Sequence, residues 1–115
     1  MNMNKHAKAF QEKKLKKDEE ILDVMEGYIG EMMGKGRDTQ YNGSLILTNS
    51  RISFYRKGFF GEVIRNIPLS KISSIDTDTI LGHKTIEFHT SHDSICFKTF
   101  VSVDEFVEST EEARS

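Results

Sequence analysis

Four residues with metal-ligating side chains fall close together in the sequence: His89, His92, Asp93 and Cys96. Imidazole, thiolate and carboxylate groups bind zinc, so these residue types alone allow a metal site. The segments HKTIEFHT and SICFKTF, however, predict two antiparallel strands joined by a turn at residues 91–93. That arrangement places two of the side chains in the turn and leaves the other two on strands, where they do not converge. We therefore expect no metal and no cofactor.

A second chemical candidate is the acidic pair Asp76 and Asp78, which share one face of an extended segment. Paired carboxylates can hold a divalent ion or catalyse hydrolysis, but an acid of raised pKa needs a partly apolar pocket, which nothing in the sequence indicates. We expect both to be solvated charges at a strand edge. The motifs GxxxxGK[ST], GxSxG and HExxH are absent. The sequence thus predicts no catalytic residues and no enzyme.

The elements that carry these residues are mainly strands. YNGSLILT and RISFYRK alternate in hydropathy and are joined at residues 49–50, and KGFFGE predicts a second hairpin. Pro68 marks a strand end, and a turn or bulge is expected near Ser70. Ile86 and Phe88 share one face of a later strand. Because no helical segment separates successive strands, about seven of them predict an antiparallel sheet.

The last segment of the sequence predicts a helix. Ser102 and Glu105 have the spacing of a capping box, in which the two side chains bond to the first free amides of a helix. Val103, Phe106 and Val107 follow at helical spacing and should pack onto the core.

Composition and charge limit the protein class. The 115 residues are 37% hydrophobic and 30% charged, which is typical of one globular domain. The lone cysteine, the lack of a signal peptide and the lack of a long apolar run predict a cytoplasmic protein. Residues 1–17 hold six lysines and one acid, whereas the other 98 residues carry a formal charge of −7. We expect no nucleic-acid partner, because such binding needs a basic face on the folded body.

The basic leader, residues 1–14, is predicted to precede a domain over residues 15–115. Its residue types allow a short helix. Phe10 and Leu15 make a poor apolar stripe, so one interpretation is a solvated, partly frayed leader. The other is a basic arm that contacts an anionic membrane or an acidic partner.

The runs YNGSLILTNSRISFY and IPLSKISSID, with a Leu81–Gly82 step before TIEF, resemble the bacterial PH-like families. The YokE-like PH domain is the most similar of these and the GRAM domain a more distant one. The resemblance runs from about Leu15 to Glu112. It implies a mainly β fold with a terminal helix: a bent antiparallel barrel of about seven strands, capped by the C-terminal helix. Phe106 and Val107 should then cap the barrel, which should be filled by alternate strand residues: Leu45, Leu47, Ile52, Phe54, Ile86, Phe88, Ile95 and Phe97.

The resemblance also implies that the loops at the barrel mouth meet phospholipid headgroups. Basic side chains beside exposed aromatic rings suit an anionic membrane surface. The segment after residue 37 adds no further base, so the sequence does not extend the resemblance to the phosphoinositide-binding pattern. The predicted contact residues are Lys35, Arg37, Arg56, Lys57, Phe59 and Phe60.

A protein-interaction module is the alternative hypothesis. An open sheet leaves edges and a groove beside the C-terminal helix, where a peptide or strand can add. The hairpin at residues 59–60 would then be the contact patch, and a homo-oligomer would form if that patch were complementary to itself. The two hypotheses differ in the salt dependence of binding that they predict, because binding through lysine and arginine weakens as the salt concentration rises.

Overall fold

The computed structural model describes residues 3–30, 41–59 and 61–115. The elements in chain order are helix α1 (Lys5–Lys13), strands β1 (Ile21–Ile29), β2 (Tyr41–Thr48), β3 (Arg51–Lys57) and β4 (Glu62–Pro68), a 3-10 turn (Leu69–Lys71), strands β5 (Ser74–Ile80), β6 (His83–His89) and β7 (Ser94–Thr99), and helix α2 (Asp104–Arg114). The turn between β2 and β3 at residues 49–50, the connection between β3 and β4, the strand end at Pro68 and the turn around Ser70 lie where the sequence predicts them.

The seven strands form one antiparallel sheet in the order β4-β3-β2-β1-β7-β6-β5. The sheet is not closed, because its two end strands, β4 and β5, are not paired with each other among the described residues. Strand β1 pairs with β2 along its whole length but with β7 only at Tyr28 and Ile29. The two halves of the sheet therefore diverge along β1. This open, bent sheet with a helix at each end of the chain confirms the predicted PH-like fold.

The main core lies on the inner face of the sheet. Alternate residues of the strands are buried there, because side chains of a strand point to opposite faces in turn. The predicted core residues are all buried: Leu45, Leu47, Ile52, Phe54, Ile86, Phe88, Ile95 and Phe97. Phe106 and Val103 join the same cluster, and Val107 packs against it half-buried, so the expected contact of α2 with the core is confirmed.

The start of α2 corrects one prediction. The residue before the helix is Val103, which offers no capping side chain. Ser102 accepts only a long bond, 3.4 Å, from the amide of Asp104. The capping box at Ser102 and Glu105 is therefore not formed. The reason is that Val103 turns its side chain into the core, which shifts the first helical residue to Asp104.

Helix α1 covers the outer face of β2 and β3 and makes a second, smaller core. Its apolar side, Ala7, Ala9 and Phe10, packs on Ile46 and Tyr55, and the Phe10 and Tyr55 rings meet edge to face at 5.8 Å. The short helix is thus confirmed, but the interpretation of a solvated, frayed leader is wrong, because Phe10 is fully buried. The domain boundary at residue 14 stays a prediction.

The segment between α1 and β1 is fixed by the β2–β3 turn. Glu19 accepts two bonds from Arg51, at 2.8 and 2.9 Å, and further bonds from Thr48 and Ser50. Arg51 also donates to the carbonyl of Lys14 and lies 4.9 Å from the centre of the Phe10 ring. The TNSR part of the family-like motif is therefore a structural clamp that holds α1 and its linker on the sheet.

Candidate functional site

The β3–β4 hairpin carries those of the predicted contact residues that the structure describes. Phe59 is 93% exposed, and Lys57 is exposed beside it. Arg56 is half-buried and donates to the carbonyl oxygen of Asn42 at 2.8 Å. The other three predicted contacts, Lys35, Arg37 and Phe60, lie outside the described residues. The hairpin thus presents an aromatic ring and two cations together.

Helix α1 brings further cations to this hairpin. The imidazole Nδ1 of His6 accepts a bond from the backbone N–H of Lys57 at 2.9 Å, which fixes the start of α1 against the end of β3. Because the opposite face of the helix packs on the sheet, Lys5 and Lys8 are left exposed to solvent. Sequence reasoning treated the leader and the hairpin as separate surfaces, and the docked helix joins them.

The pKa values of ionisable groups near this junction are shifted by burial and by neighbouring charges. Burial lowers the pKa of His6, the nearby cations Lys5 and Arg56 lower it further, and Glu26 raises it. The imidazole is therefore held neutral, as its acceptor role toward Lys57 requires. At the other end of the helix Lys14 bonds to Glu62 at 2.5 Å. Hydrogen bonds from Lys14 and then Tyr55 lower the pKa of that carboxyl group.

A groove of about 640 Å³ lies on the outer face of the sheet, where β1 and β7 diverge. Its floor is formed by β1 residues from Val24 to Tyr28. Phe100 and Val101, just after β7, form one wall, and Asn4 and His6 at the start of α1 form the other. The sequence did not indicate this groove, because it depends on the docking of α1.

Phe100 and Val101 belong to a wider set of exposed apolar residues. Phe100 is 69% exposed, and Leu81, in the β5–β6 turn, is 92% exposed. The ring of Phe100 lies 4.5 Å from that of His83, which in turn bonds to the hydroxyl of Tyr28 at 2.5 Å. These contacts link the groove wall to the first residue of β6.

The candidate metal ligands do not come together. His89 contacts Asp76 at 2.9 Å, whereas Asp93 pairs with Arg65 at 3.1 Å on β4. Burial, with Glu87 nearby, raises the pKa of the Cys96 thiol, so that it is a poor thiolate ligand. Within residues 3–30, 41–59 and 61–115, no three His, Cys, Asp or Glu side chains form a group that could hold a metal ion.

The helices in the described part of the chain are also too short and too polar to span a bilayer.

Comparison with known proteins places these features in a family. The model of the family described as "Bacterial PH domain" matches residues 15–111. No curated protein sequence matches the chain at a significant level. Among solved structures, the Vps36 N-terminal PH domain is similar with a TM-score of 0.64 at 15% identity, covering 87% of this chain and 82% of that one.

Two further solved structures share the fold. The C-terminal domain of an unknown protein from Leishmania infantum has a TM-score of 0.65 at 17% identity, covering 93% of this chain and 92% of the other. A DUF1696 family protein with a pleckstrin-homology domain from Shewanella loihica PV-4 has a TM-score of 0.64 at 13% identity, covering 99% and 100%. At these identities the likeness concerns the fold alone.

Proposed function

The chain belongs to the bacterial PH domain family, and from that premise we propose that it is a non-catalytic binding module that attaches to an anionic membrane surface, at the inner face of the membrane. The contact surface in this proposal is the exposed side of α1 together with the β3–β4 hairpin. Lys5, Lys8, Arg56 and Lys57 supply the charge, and Phe59 supplies the apolar contact. The predicted residues Lys35, Arg37 and Phe60 stay part of the proposal.

The observation that carries the proposal is the bond between His6 and the Lys57 amide. It holds a lysine-bearing helix beside a hairpin whose aromatic ring is 93% exposed. An exposed ring beside several cations suits the boundary between anionic headgroups and acyl chains.

The expected strength follows from the number of cations. Each basic residue near an anionic surface contributes about 1 kcal/mol, so four give about 4 kcal/mol at low salt. Insertion of an aromatic ring adds about 1.5–3 kcal/mol if the ring is fully removed from water. Since the rest of the chain is acidic, attachment should depend on which face meets the membrane, and it should weaken as salt rises.

Liposome flotation tests the proposal directly. The protein should float with vesicles containing phosphatidylglycerol and not with pure phosphatidylcholine, and flotation should fall between low salt and about 0.15 M salt, where the screening length is about 8 Å. Absence of flotation with anionic vesicles at low salt would refute the membrane proposal.

Two variants test the proposed contact surface: one reverses charges on α1, and the other removes the aromatic ring of Phe59. Lys5→Glu combined with Lys8→Glu should abolish flotation, and Phe59→Ser should weaken it at least severalfold. Lys71→Glu is the control, because Lys71 is an exposed lysine in the 3-10 turn between β4 and β5. Equal loss in the control would mean that total charge, rather than this surface, drives the binding.

The alternative proposal is a protein-interaction module, with self-association through the same hairpin as one form of it. The exposed apolar residues Ile80, Leu81 and Phe100 favour it, because such side chains are common at protein contacts. Binding that persists at high salt, or a concentration-dependent rise in mass by light scattering, would support this alternative.

A further inference from the structure

The groove between α1 and residues 99–101 has two unlike walls. On one side Phe100 and Val101, which follow the end of β7, are 69% and 57% exposed. On the other side the wall is polar and is formed by Asn4 and His6. An amphiphilic occupant therefore fits both walls.

Two cations lie beside the polar rim of the groove, although neither lines it. Arg56 donates to the carbonyl oxygen of the lining residue Asn42. Burial lowers the pKa of the lining residue His6, and the charges of Lys5 and Arg56 both act on His6 and lower it further. Glu26 is the one acid that lines the groove among the described residues, and the side-chain amide of Asn4 donates to one of its oxygens at 2.6 Å. Together Arg56, Lys5 and Glu26 leave one net positive charge beside the rim, which favours an anionic group.

The size and position of the groove suit a single lipid chain. Its volume of about 640 Å³ lies within the range of about 300–1,000 Å³ that is usual for small-molecule sites. The lining residues His6 and Asn42 bond to Lys57 and Arg56, which belong to the surface proposed to meet the membrane. A lipid in that membrane therefore has its headgroup at the basic rim and its chain beside the apolar wall.

We propose that this groove takes up one acyl chain of an anionic membrane lipid, with the chain against Phe100 and Val101 and the headgroup at Arg56 and Lys5. This inference rests on the proposed membrane function and adds a defined lipid site to it. Electrostatic attachment to the membrane surface does not involve the groove. Binding in the groove, in contrast, requires a lipid with both an acyl chain and a negative headgroup.

The probe is a lysophosphatidylglycerol with a 14-carbon chain, used below its micelle-forming concentration. Its binding is followed by amide chemical shifts in NMR of the full chain. Saturable shifts at Val24, Tyr28 and Val101 are the expected result. Lysophosphatidylcholine of the same chain length should bind about 30-fold more weakly, because two basic contacts of about 1 kcal/mol each are lost. Glycerol 3-phosphate, which has the anionic group and no chain, should leave Phe100 and Val101 unshifted.

Two variants test the walls separately. Phe100→Ser should weaken lysophosphatidylglycerol binding about tenfold, since the ring is the largest apolar contact of the groove. Arg56→Gln should reduce the preference for the anionic over the zwitterionic probe about fivefold, because one of the two basic contacts is lost. Leu81→Asn is the control, because Leu81 is even more exposed than Phe100 but does not line the groove. Thermal unfolding of each variant shows whether it is folded, and Val101→Asp replaces Phe100→Ser if that variant is not.

The outcomes separate the inference from the function on which it rests. Flotation with anionic vesicles but no saturable shift with the lysolipid would overturn the groove site and leave the membrane function standing. Lysolipid binding in the groove without flotation would support the site and refute attachment to membranes. Equal binding of glycerol 3-phosphate would mean that the rim binds an anion alone, which overturns the acyl-chain assignment.

Discussion

Replacing Glu19 by glutamine tests the clamp that joins the N-terminal helix to the sheet. Burial by itself would raise the pKa of this carboxyl group, but the hydrogen bonds from Arg51, Thr48, Ser50 and the Lys16 amide outweigh it and lower the pKa from 4.5 to about 2. Its side chain is only 2% exposed and that of Arg51 only 9%. The pair is therefore little screened by solvent.

The size and pH dependence of the effect follow from these pKa values. One pKa unit corresponds to about 1.4 kcal/mol, so the ionised carboxylate contributes about 3 kcal/mol to folding at pH 7. Because the folded-state pKa is the lower one, this contribution is complete above the unfolded-state pKa and is lost as the pH falls. With the values above it is about 2 kcal/mol at pH 3.5 and below about 1 kcal/mol at pH 2.5.

The assay is urea unfolding of the wild type and of Glu19→Gln at pH 7, 5 and 3.5. The variant should be less stable by about 3 kcal/mol at pH 7, and the difference should narrow toward acid pH. Glu20→Gln is the matched control, since the neighbouring Glu20 is exposed and should cost less than about 0.5 kcal/mol. A difference below about 1 kcal/mol at pH 7, or one that does not change with pH, would refute the clamp.

Two further substitutions test the core and a turn. Phe106→Ala should lower the free energy of unfolding by about 3–5 kcal/mol, because it leaves a cavity where α2 meets the core. Val107→Ala, at a half-buried position, should lower it by only about 1 kcal/mol. An unchanged thermal midpoint for Phe106→Ala would contradict the packing of α2. Leu81 has a φ of +50°, a conformation that asparagine tolerates better than leucine. Leu81→Asn should therefore raise stability by up to about 1 kcal/mol in urea unfolding, and a clear loss of stability would show that the turn needs leucine.

The strands could be predicted because their side chains repeat with a period of two. Leu45 and Leu47, or Ile95 and Phe97, show that period within a few residues, and all four are buried as expected. The position of the strand end was less predictable. SICFKTF was treated as one strand, but β7 stops at Thr99. The same period places Phe100 on the outward face with Cys96 and Lys98, and Phe100 is indeed exposed.

The packing of α1 could not be predicted from local pattern. The face that it buries is made of His6, Ala7, Ala9 and Phe10, and three of these four side chains are too small or too polar to form an apolar stripe. Its attachment depends on Arg51, which is 32 residues away from its partner Glu19. A pair of residues so far apart in sequence does not alter the local hydropathy pattern. The basic surface and the groove beside α1 could therefore be identified only from the folded chain.

The open sheet has a consequence for how the protein behaves at high concentration. Strand β5 is the last strand in the sheet order, and its outward-facing polar groups could template the addition of a strand from another molecule. Asp76 and Asp78 are both exposed on this strand. A second copy that paired there in an antiparallel manner would bring the same acids of both chains close together, and like charges opposite each other are unfavourable. These two aspartates therefore act against edge-to-edge aggregation and help the sheet to end at seven strands.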